Sequence, residues 1–240
     1  MYRPIITMSL AFRPDYTRQV LEALKQCRGI EKYEIIAFCE PTNPETIATA
    51  AAIDFCKKQV HVNQYRMGCD CNILQAISAG FALTDYNIHI EDDIVLSIDA
   101  LEYFEYCRER YKNDDDIFTV TAYNRDGTHD QPLHQLKRRP WFHPWGWASW
   151  RARFPDMLQH WERRRGGQLD QAGMVRGSSW DAGMTFKARG LRQEIYPAVS
   201  RSQNIGKENG ENVSPSDHRC LQHVEYWAGP LQPIPQTWSE

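Results

Sequence analysis

No glycine-rich phosphate loop follows the first apolar run of this chain. Neither Gly-x-Gly-x-x-Gly nor Gly-x-x-x-x-Gly-Lys-Ser/Thr occurs there, and Gly206-Lys207-Glu208-Asn209-Gly210 lacks the spacing of the latter. Phosphates cradled by a loop of backbone amides are therefore not expected. A basic excess is also missing. Lys and Arg number 28 against 31 Asp and Glu, a net charge of -3, which disfavours a nucleic-acid groove. No apolar run approaches the length of a membrane span, and the one at residues 4–10 is too short for a signal peptide. The seven cysteines are an odd number with no Cys-x-x-Cys pair. Cys69-Asp70-Cys71 is the one close pair, and adjacent helix turns or strands explain it better than zinc. Reduced thiols in a cytoplasmic protein are the expectation. Asn212-Val213-Ser214 has the form of a glycosylation acceptor, which means little without secretion.

What is present is enough apolar material for one substantial core: 240 residues, 42% of them hydrophobic. Residues 4–10 are nearly continuous in apolar character, as a buried parallel strand is. Pro14 and Asp15 then suit a helix start, and Val20, Leu21 and Leu24 give that helix its apolar stripe. A second strand is expected at 34–39, ending at Glu40. Asn43, Pro44 and Glu45 supply a cap, a first-turn proline and a first-turn acid for an alanine-rich helix expected to run to Lys57. A weak strand at 60–62 and a helix from Asn72 to about Phe81 follow. Strand and helix alternate in this way through the first hundred or so residues, the pattern of a doubly wound, mainly parallel α/β sheet. A further strand is expected at 117–121. Beyond Tyr123, Gly, Pro, Trp and Arg dominate and periodicity fades, so no strands are placed there. The expectation is a single domain, 1–240, with a first half at 1–122 and a more irregular half at 123–240.

The centre of the pattern is Tyr86-Asn87-Ile88-His89-Ile90-Glu91-Asp92-Asp93-Ile94-Val95. Alternation of Ile88 and Ile90 reads as a strand, and it runs into three consecutive carboxylates. In open α/β sheets ligands bind just outside such strand ends. Adjacent carboxylates repel, and a divalent cation, Mn²⁺ or Mg²⁺, is the simplest compensation. A solvated acidic turn is the alternative. A nucleotide diphosphate bridged to Asp92 and Asp93 by a metal also accounts for the absent glycine loop. A helix at 97–111 is expected next.

Here the sequence resembles the nucleotide-sugar-dependent glycosyltransferases of the GT-A fold. Ile90-Glu91-Asp92-Asp93 looks like their Asp-x-Asp-type motif. The first half is similar to the N-acetylglucosaminyltransferase I group, in which a Glu-Asp-Asp precedes an amphipathic helix rich in Phe and Tyr; Leu101, Tyr103, Phe104 and Tyr106 match that texture. The second half resembles bacterial family 2-like enzymes through Pro144-Trp145-Gly146-Trp147-Ala148-Ser149-Trp150-Arg151, Ser179-Trp180-Asp181 and Ser200-Arg201-Ser202-Gln203-Asn204-Ile205-Gly206. The resemblance implies that Asp93 binds the metal, Asp92 faces the ribose or the metal shell, and Glu91 faces the donor sugar. Arg13 and Glu40 would then sit near the nucleotide base, although Glu40 reads equally as a solvated strand-end acid and Arg13 as a surface residue. Asp181 resembles the base that takes the acceptor proton in an inverting transfer, with a helix cap as the alternative. In the bacterial relatives a loop like the one running from Gln203 to Ser216 closes over the donor and often contributes a histidine. This chain has Asn212 there, and His218 is the candidate third metal ligand, against the alternative of a surface histidine.

Trp141, Trp145, Trp147 and Trp150 fall within ten residues, with Gly146 among them. Aromatic faces stack on sugars, and glycine permits close approach. Some rings are expected in the core, with Trp145, Trp147 and Trp180 on the acceptor side. The resulting reading is a soluble, metal-dependent glycosyltransferase carrying a sugar from a nucleotide-diphosphate donor, a UDP-sugar first, to a carbohydrate hydroxyl. A nucleotidyltransferase is the first rival, but Ala11-Phe12-Arg13-Pro14 does not look like its glycine-rich phosphate loop. A carbohydrate-binding module is the second, and it would not need Glu91-Asp92-Asp93.

Overall fold

The structure, a computed structural model, describes residues 2–125, 132–158, 180–181, 184, 192–206 and 238–239. The first half folds as strand and helix in alternation. The elements are β1 (Ile5–Leu10), α1 (Pro14–Gln26), β2 (Glu34–Cys39), α2 (Pro44–Ala51), β3 (Lys57–Val62), α3 (Cys69–Leu83) and β4 (Tyr86–Glu91). Then come β5 (Ile94–Leu96), α4 (Ala100–Tyr111) and β6 (Ile117–Thr121), and later β7 (Leu136–Arg139), β8 (Trp147–Trp150), β9 (Gln193–Pro197) and β10 (Ser202–Asn204). Eight strands form one sheet in the order β3-β2-β1-β4-β8-β6-β9-β7. The block β3-β2-β1-β4 is parallel throughout. β8 enters antiparallel between β4 and β6. The irregular second half is thus built into the same sheet as the first.

Helices cover both faces because both faces of the central strands are buried. Ile6, Met8 and Leu10 of β1 share a cluster with Leu21 and Leu24 of α1 and Phe104 of α4. Ile5 points the other way and packs with Ile36, Phe38 and Ala76, the last on α3. Ile88 and Ile90 of β4 join the first cluster. Their alternates, Asn87 and His89, are buried as well, on the α3 side. The period-two pattern of β4 therefore marks an apolar and a polar buried face rather than a buried and a wet one.

Several boundaries differ from those expected. α2 stops at Ala51, not Lys57, because Lys57 to Val62 pair with β2; Gln59 Nε2 donates to Glu34 Oε1 at 2.7 Å across that pair. Strand pairing outweighs the helix propensity of an alanine-rich stretch. α3 extends to Cys69 and Leu83, beyond both expected ends. α4 begins at Ala100 rather than Ser97, since Ile94–Leu96 form β5 and the Ser97 hydroxyl turns to Asp99 Oδ1 at 2.6 Å. Gln203 and Asn204, expected at the start of a loop, lie in β10, which pairs antiparallel with β5. Beyond Gly206 that loop, the helix expected after Asp181 apart from Met184, and the Asn212 sequon lie outside the described residues. Among the described residues, no helix is long and apolar enough to cross a membrane, and no cysteine is in a disulfide.

α3 lies unusually close to the sheet at Gly80. A Cβ there would stand 2.4 Å from Asn87 Oδ1 and 2.8 Å from Thr7 Cγ2. Asn87 cannot easily swing away, because its Nδ2 donates to Thr7 Oγ1 at 2.9 Å. In an open helix Gly→Ala gains about 1 kcal/mol, whereas overpacking a core costs about 1–3 kcal/mol. Gly80→Ala is expected to destabilise the fold by up to about 2 kcal/mol in urea unfolding; a stabilised variant would show that α3 does not seat this tightly.

Candidate functional site

β1 and β4 run side by side, with Ser9 opposite Glu91. The residues that follow each strand, Ala11 to Arg13 and Asp92 to Asp93, therefore emerge together at the carboxyl edge of the sheet. Arg13 caps the start of α1 without using its side chain on the helix. Its guanidinium turns instead to the carboxylates. Nε donates to Asp92 Oδ2 at 3.3 Å, Nη2 donates to Asp92 Oδ1, and Nη1 lies 2.9 Å from Asp93 Oδ2. The contact to Asp93 is an ion contact without hydrogen-bond alignment, since Nη1 has no hydrogen-bond acceptor. The side chains of Arg13, Asp92 and Asp93 are only 15%, 5% and 11% exposed. The solvated acidic turn and the surface arginine weighed from sequence are both excluded by this burial.

The segment that closes the site arrives from far along the chain. β5 follows directly on Asp93 and pairs with β10, with Asn204 opposite Ile94. Past that pair, Ile205 N donates to the Asp93 carbonyl at 2.8 Å, and Gly206 N donates to Asn204 Oδ1 at 2.8 Å. A Cβ on Gly206 would meet Asp93 Oδ2 at 2.3 Å and Arg13 Nη1 at 3.1 Å. Only glycine lets the backbone lie against the carboxylate in this way. Gly146 serves the same ribbon from the other side: its φ is +73°, and a Cβ would stand 3.2 Å from Leu96 Cδ2.

Electrostatics at the cluster follow from this packing. Burial raises the Asp93 carboxyl to about 6, with Arg13 acting against the rise and Asp92 adding to it. Burial also raises Asp92, opposed by Arg13. Glu91 is pushed well above the usual carboxylate range by burial and then by the charges of Asp93, Asp92 and Asp181. That last influence brings Asp181 into electrostatic reach of the cluster although it lies ninety residues away in sequence. Asp181 is half-buried, and its neighbour Trp180 is anchored against Phe142 and Trp147, with ring centroids 5.5 and 5.9 Å apart.

The remaining expected residues fall as follows. Glu40 is buried rather than solvated, and its two carboxylate oxygens accept from Met67 N at 3.0 and 2.9 Å, tying the segment after β3 to the end of β2. Trp145, Trp147 and Trp180 are at most 9% exposed, so their rings serve packing in this state. Trp145 sits against Tyr123 and His143, and Trp147 against Phe142 and His89. His218 lies outside the described residues. Among those described, no group of three His, Cys, Asp or Glu forms a ready metal cage. The donor set is two adjacent carboxylates beside a glycine cradle, partly neutralised by one guanidinium. Mg²⁺-type ions are commonly held by one or two carboxylates together with substrate phosphates, so these residues fit a cation that arrives with a diphosphate better than a cation alone. Sequence reasoning gave Gly206 no role and assigned Arg13 to the base. The signal for Arg13 was the adjacency of β1 and β4; for Gly206 the resemblance of Ser200–Gly206 marked the segment but not its contact with Asp93, because β5–β10 pairing is long-range.

Neither a protein-family profile nor a curated protein matches the chain by sequence. By structure it is similar to S. aureus TarS 1-349 in complex with UDP, at 10% identity and a TM-score of 0.52, covering 80% of this chain and 60% of that one. It is similar to the same protein in complex with UDP-GlcNAc at 9% identity and 0.50, covering 92% and 65%. The mannosyltransferase PcManGT from Pyrobaculum calidifontis, in complex with GDP-Man and Mn²⁺, is 13% identical with a TM-score of 0.49, over 84% of this chain and 59% of that one. The chain thus spans about 60% of the length of the TarS chains. The likeness is one of fold: the chain has a GT-A-like fold.

His89 is the other titratable group beneath the site. It lies on β4, its Nδ1 3.1 Å from Thr7 Oγ1 and its Nε2 3.5 Å from Ser9 Oγ. Burial lowers its pKa to about 3 from 6.5. The unfolded chain therefore takes up a proton below 6.5 that the folded protein refuses, and stability falls as pH drops from 6.5 toward 3. This group contributes a loss of about 1.4 kcal/mol per pH unit in that window. Urea unfolding of the wild type and of His89→Gln across pH 4–6.5 is expected to show a shallower acid slope, by about one proton, in the variant. An unchanged slope would mean that His89 titrates normally.

Proposed function

We propose that this chain is a divalent-metal-dependent, inverting glycosyltransferase that moves a sugar from a nucleotide-diphosphate donor, a UDP-sugar, to a carbohydrate hydroxyl. The observation that carries this reading is the buried Asp92–Asp93 pair at the carboxyl edge of a GT-A-like sheet, faced by Arg13, next to a Glu91 that feels the charge of Asp181. That TarS has been crystallised with UDP and with UDP-GlcNAc supports the donor class. In this reading residues 1–122 form the nucleotide-sugar half and 123–240 the acceptor half.

Asp93, with Asp92 in its shell, would hold Mn²⁺ or Mg²⁺. When bound, such an ion supplies Lewis-acid neutralisation of the departing diphosphate. Arg13 and Glu40 border the nucleotide, Glu40 by fixing the chain at Met67 and Arg13 through its guanidinium. Glu91 faces the donor sugar. Asp181 takes the proton from the acceptor hydroxyl, a poor nucleophile until that proton begins to leave. Trp180, held in the core, fixes the position of Asp181, and Trp145 and Trp147 shape the acceptor side from beneath. His218 is a third ligand in the same proposal.

Two variants test the two halves of this assignment separately. Asp93→Ala is expected to abolish Mn²⁺-dependent UDP binding in calorimetry while the far-UV spectrum is retained. Wild-type affinity for UDP in Mn²⁺ would refute the metal site. Asp181→Asn is expected to lower turnover by about 10²–10⁴-fold, the usual contribution of a positioned base, with donor affinity nearly unchanged. Full activity at neutral pH, or lost donor binding, would assign Asp181 to capping or structure instead.

A further inference from the structure

Arg13 occupies the ground that the proposed cation needs. Its fork spans both carboxylates, with two contacts to Asp92 and one of 2.9 Å to Asp93 Oδ2. Gly206 closes the same side, its Cβ direction ending 3.1 Å from Arg13 Nη1 and 2.3 Å from Asp93 Oδ2. A divalent ion bound to Asp93 would face a guanidinium already pressed against the same oxygen, with backbone behind it. Two cations cannot share those oxygens without strong repulsion in so enclosed a place.

We infer that Arg13 is the resident counter-cation of the Asp92–Asp93 pair and a gate on metal entry: it must leave the carboxylates for a divalent ion to bind, and it leaves for the diphosphate of the donor. The inference rests on the metal-dependent reading above and adds a coupling to it. A guanidinium released from carboxylates keeps its need for anionic acceptors, and its planar fork suits phosphate oxygens. In its carboxylate-bound position the Arg13 guanidinium carbon also lies 5.5 Å from the centre of the Tyr16 ring. Diphosphate therefore stabilises the displaced arginine, and the metal stabilises the vacated carboxylates. Each ligand lowers the cost of the other, and by linkage the factor is the same in both directions. Metal without nucleotide binds poorly because the arginine competes with it. Nucleotide without metal binds poorly because Arg13 would leave two buried carboxylates uncompensated.

Mn²⁺ uptake, followed by the spectrum of the free ion in electron paramagnetic resonance, tests this without recourse to activity. Wild type is expected to bind Mn²⁺ weakly alone and more tightly with saturating UDP, by a factor within the range of about 5–150-fold typical of such couplings. Arg13→Gln is expected to bind Mn²⁺ alone about tenfold more tightly than wild type, as the competitor is gone, and to gain little from UDP. Arg13→Lys keeps a positive charge but only a single point contact, and is expected to fall between the two. If Arg13→Gln binds Mn²⁺ alone no more tightly than wild type, while wild type still takes up Mn²⁺ with UDP, the gate is wrong and the metal site stands. If wild type takes up Mn²⁺ neither alone nor with UDP, the metal site falls and the gate with it. Should Arg13→Gln not fold, Arg13→Lys decides: a Mn²⁺ affinity equal to or below that of wild type overturns the gate.

Discussion

The site depends on one electrostatic constraint, the crowding of Glu91, Asp92 and Asp93 at a strand end that the fold buries. Carboxylates taken out of water stay charged only beside a cation or several hydrogen-bond donors. Arg13 supplies the cation, and its place is fixed by the parallel pairing of β1 and β4, which are apolar enough on one face to hold that register. A slip of one residue along β4 would turn Ile88 and Ile90 away from their core and carry the carboxylates off Arg13 together. Stability of the sheet and geometry of the site are therefore one constraint.

The arginine- and tryptophan-rich texture of the second half has a related cause. Without periodic apolar faces, its irregular segments are joined by buried arginines that satisfy several backbone carbonyls at once. Arg201 pairs with Asp99 at 2.9 Å, donates to the carbonyls of Val199 and Leu133 at 2.7 Å each, and lies over the Trp238 ring. Arg153 donates to the carbonyls of Ile117 and Asp114 at 3.1 and 3.0 Å and lies over Trp150. Arg139 binds Glu194, which also accepts from Thr119 and from His143 N. Each guanidinium has an acceptor set that water would otherwise provide. Through Ser97 N to the Arg201 carbonyl at 2.8 Å, this network reaches β5 and so Asp93.

The parts of the fold legible in sequence are those decided locally. Glu34–Cys39 and Ile117–Thr121 stand where periodicity placed them, and Pro14 and Asn43 mark helix starts through fixed φ and side-chain capping. β3, β5 and β10 were not legible in full, because each exists through a partner: β3 against β2, β5 against β10 across more than a hundred residues. The same division holds for the site. The carboxylate run was visible as a break in alternation. The role of Arg13 as their counter-charge was not, since it follows from the spatial order β2-β1-β4 rather than from sequence distance. The tryptophans show the limit of composition: a ring suited to a sugar is equally suited to a core, and burial chose the core.

The missing glycine loop and the carboxylate cluster are two sides of one charge problem. In the described site one guanidinium faces Glu91, Asp92, Asp93 and the field of Asp181. On the proposed reading a diphosphate entering there would add negative charge to a region already short of positive charge, and among the described residues no set of glycine amides stands ready to receive it. Protonating the cluster would relieve the repulsion, and burial pushes the Glu91 and Asp93 carboxyls in that direction. Protonated acids, however, would give a diphosphate only hydrogen bonds. On the proposed reading Asp92 and Asp93 would hold a divalent ion, which would let them stay charged and would supply the positive charge a diphosphate needs. On the proposed reading, then, Arg13 and the proton are substitutes for that ion in its absence. The instability that they only partly relieve is what favours the donor and its cation entering together.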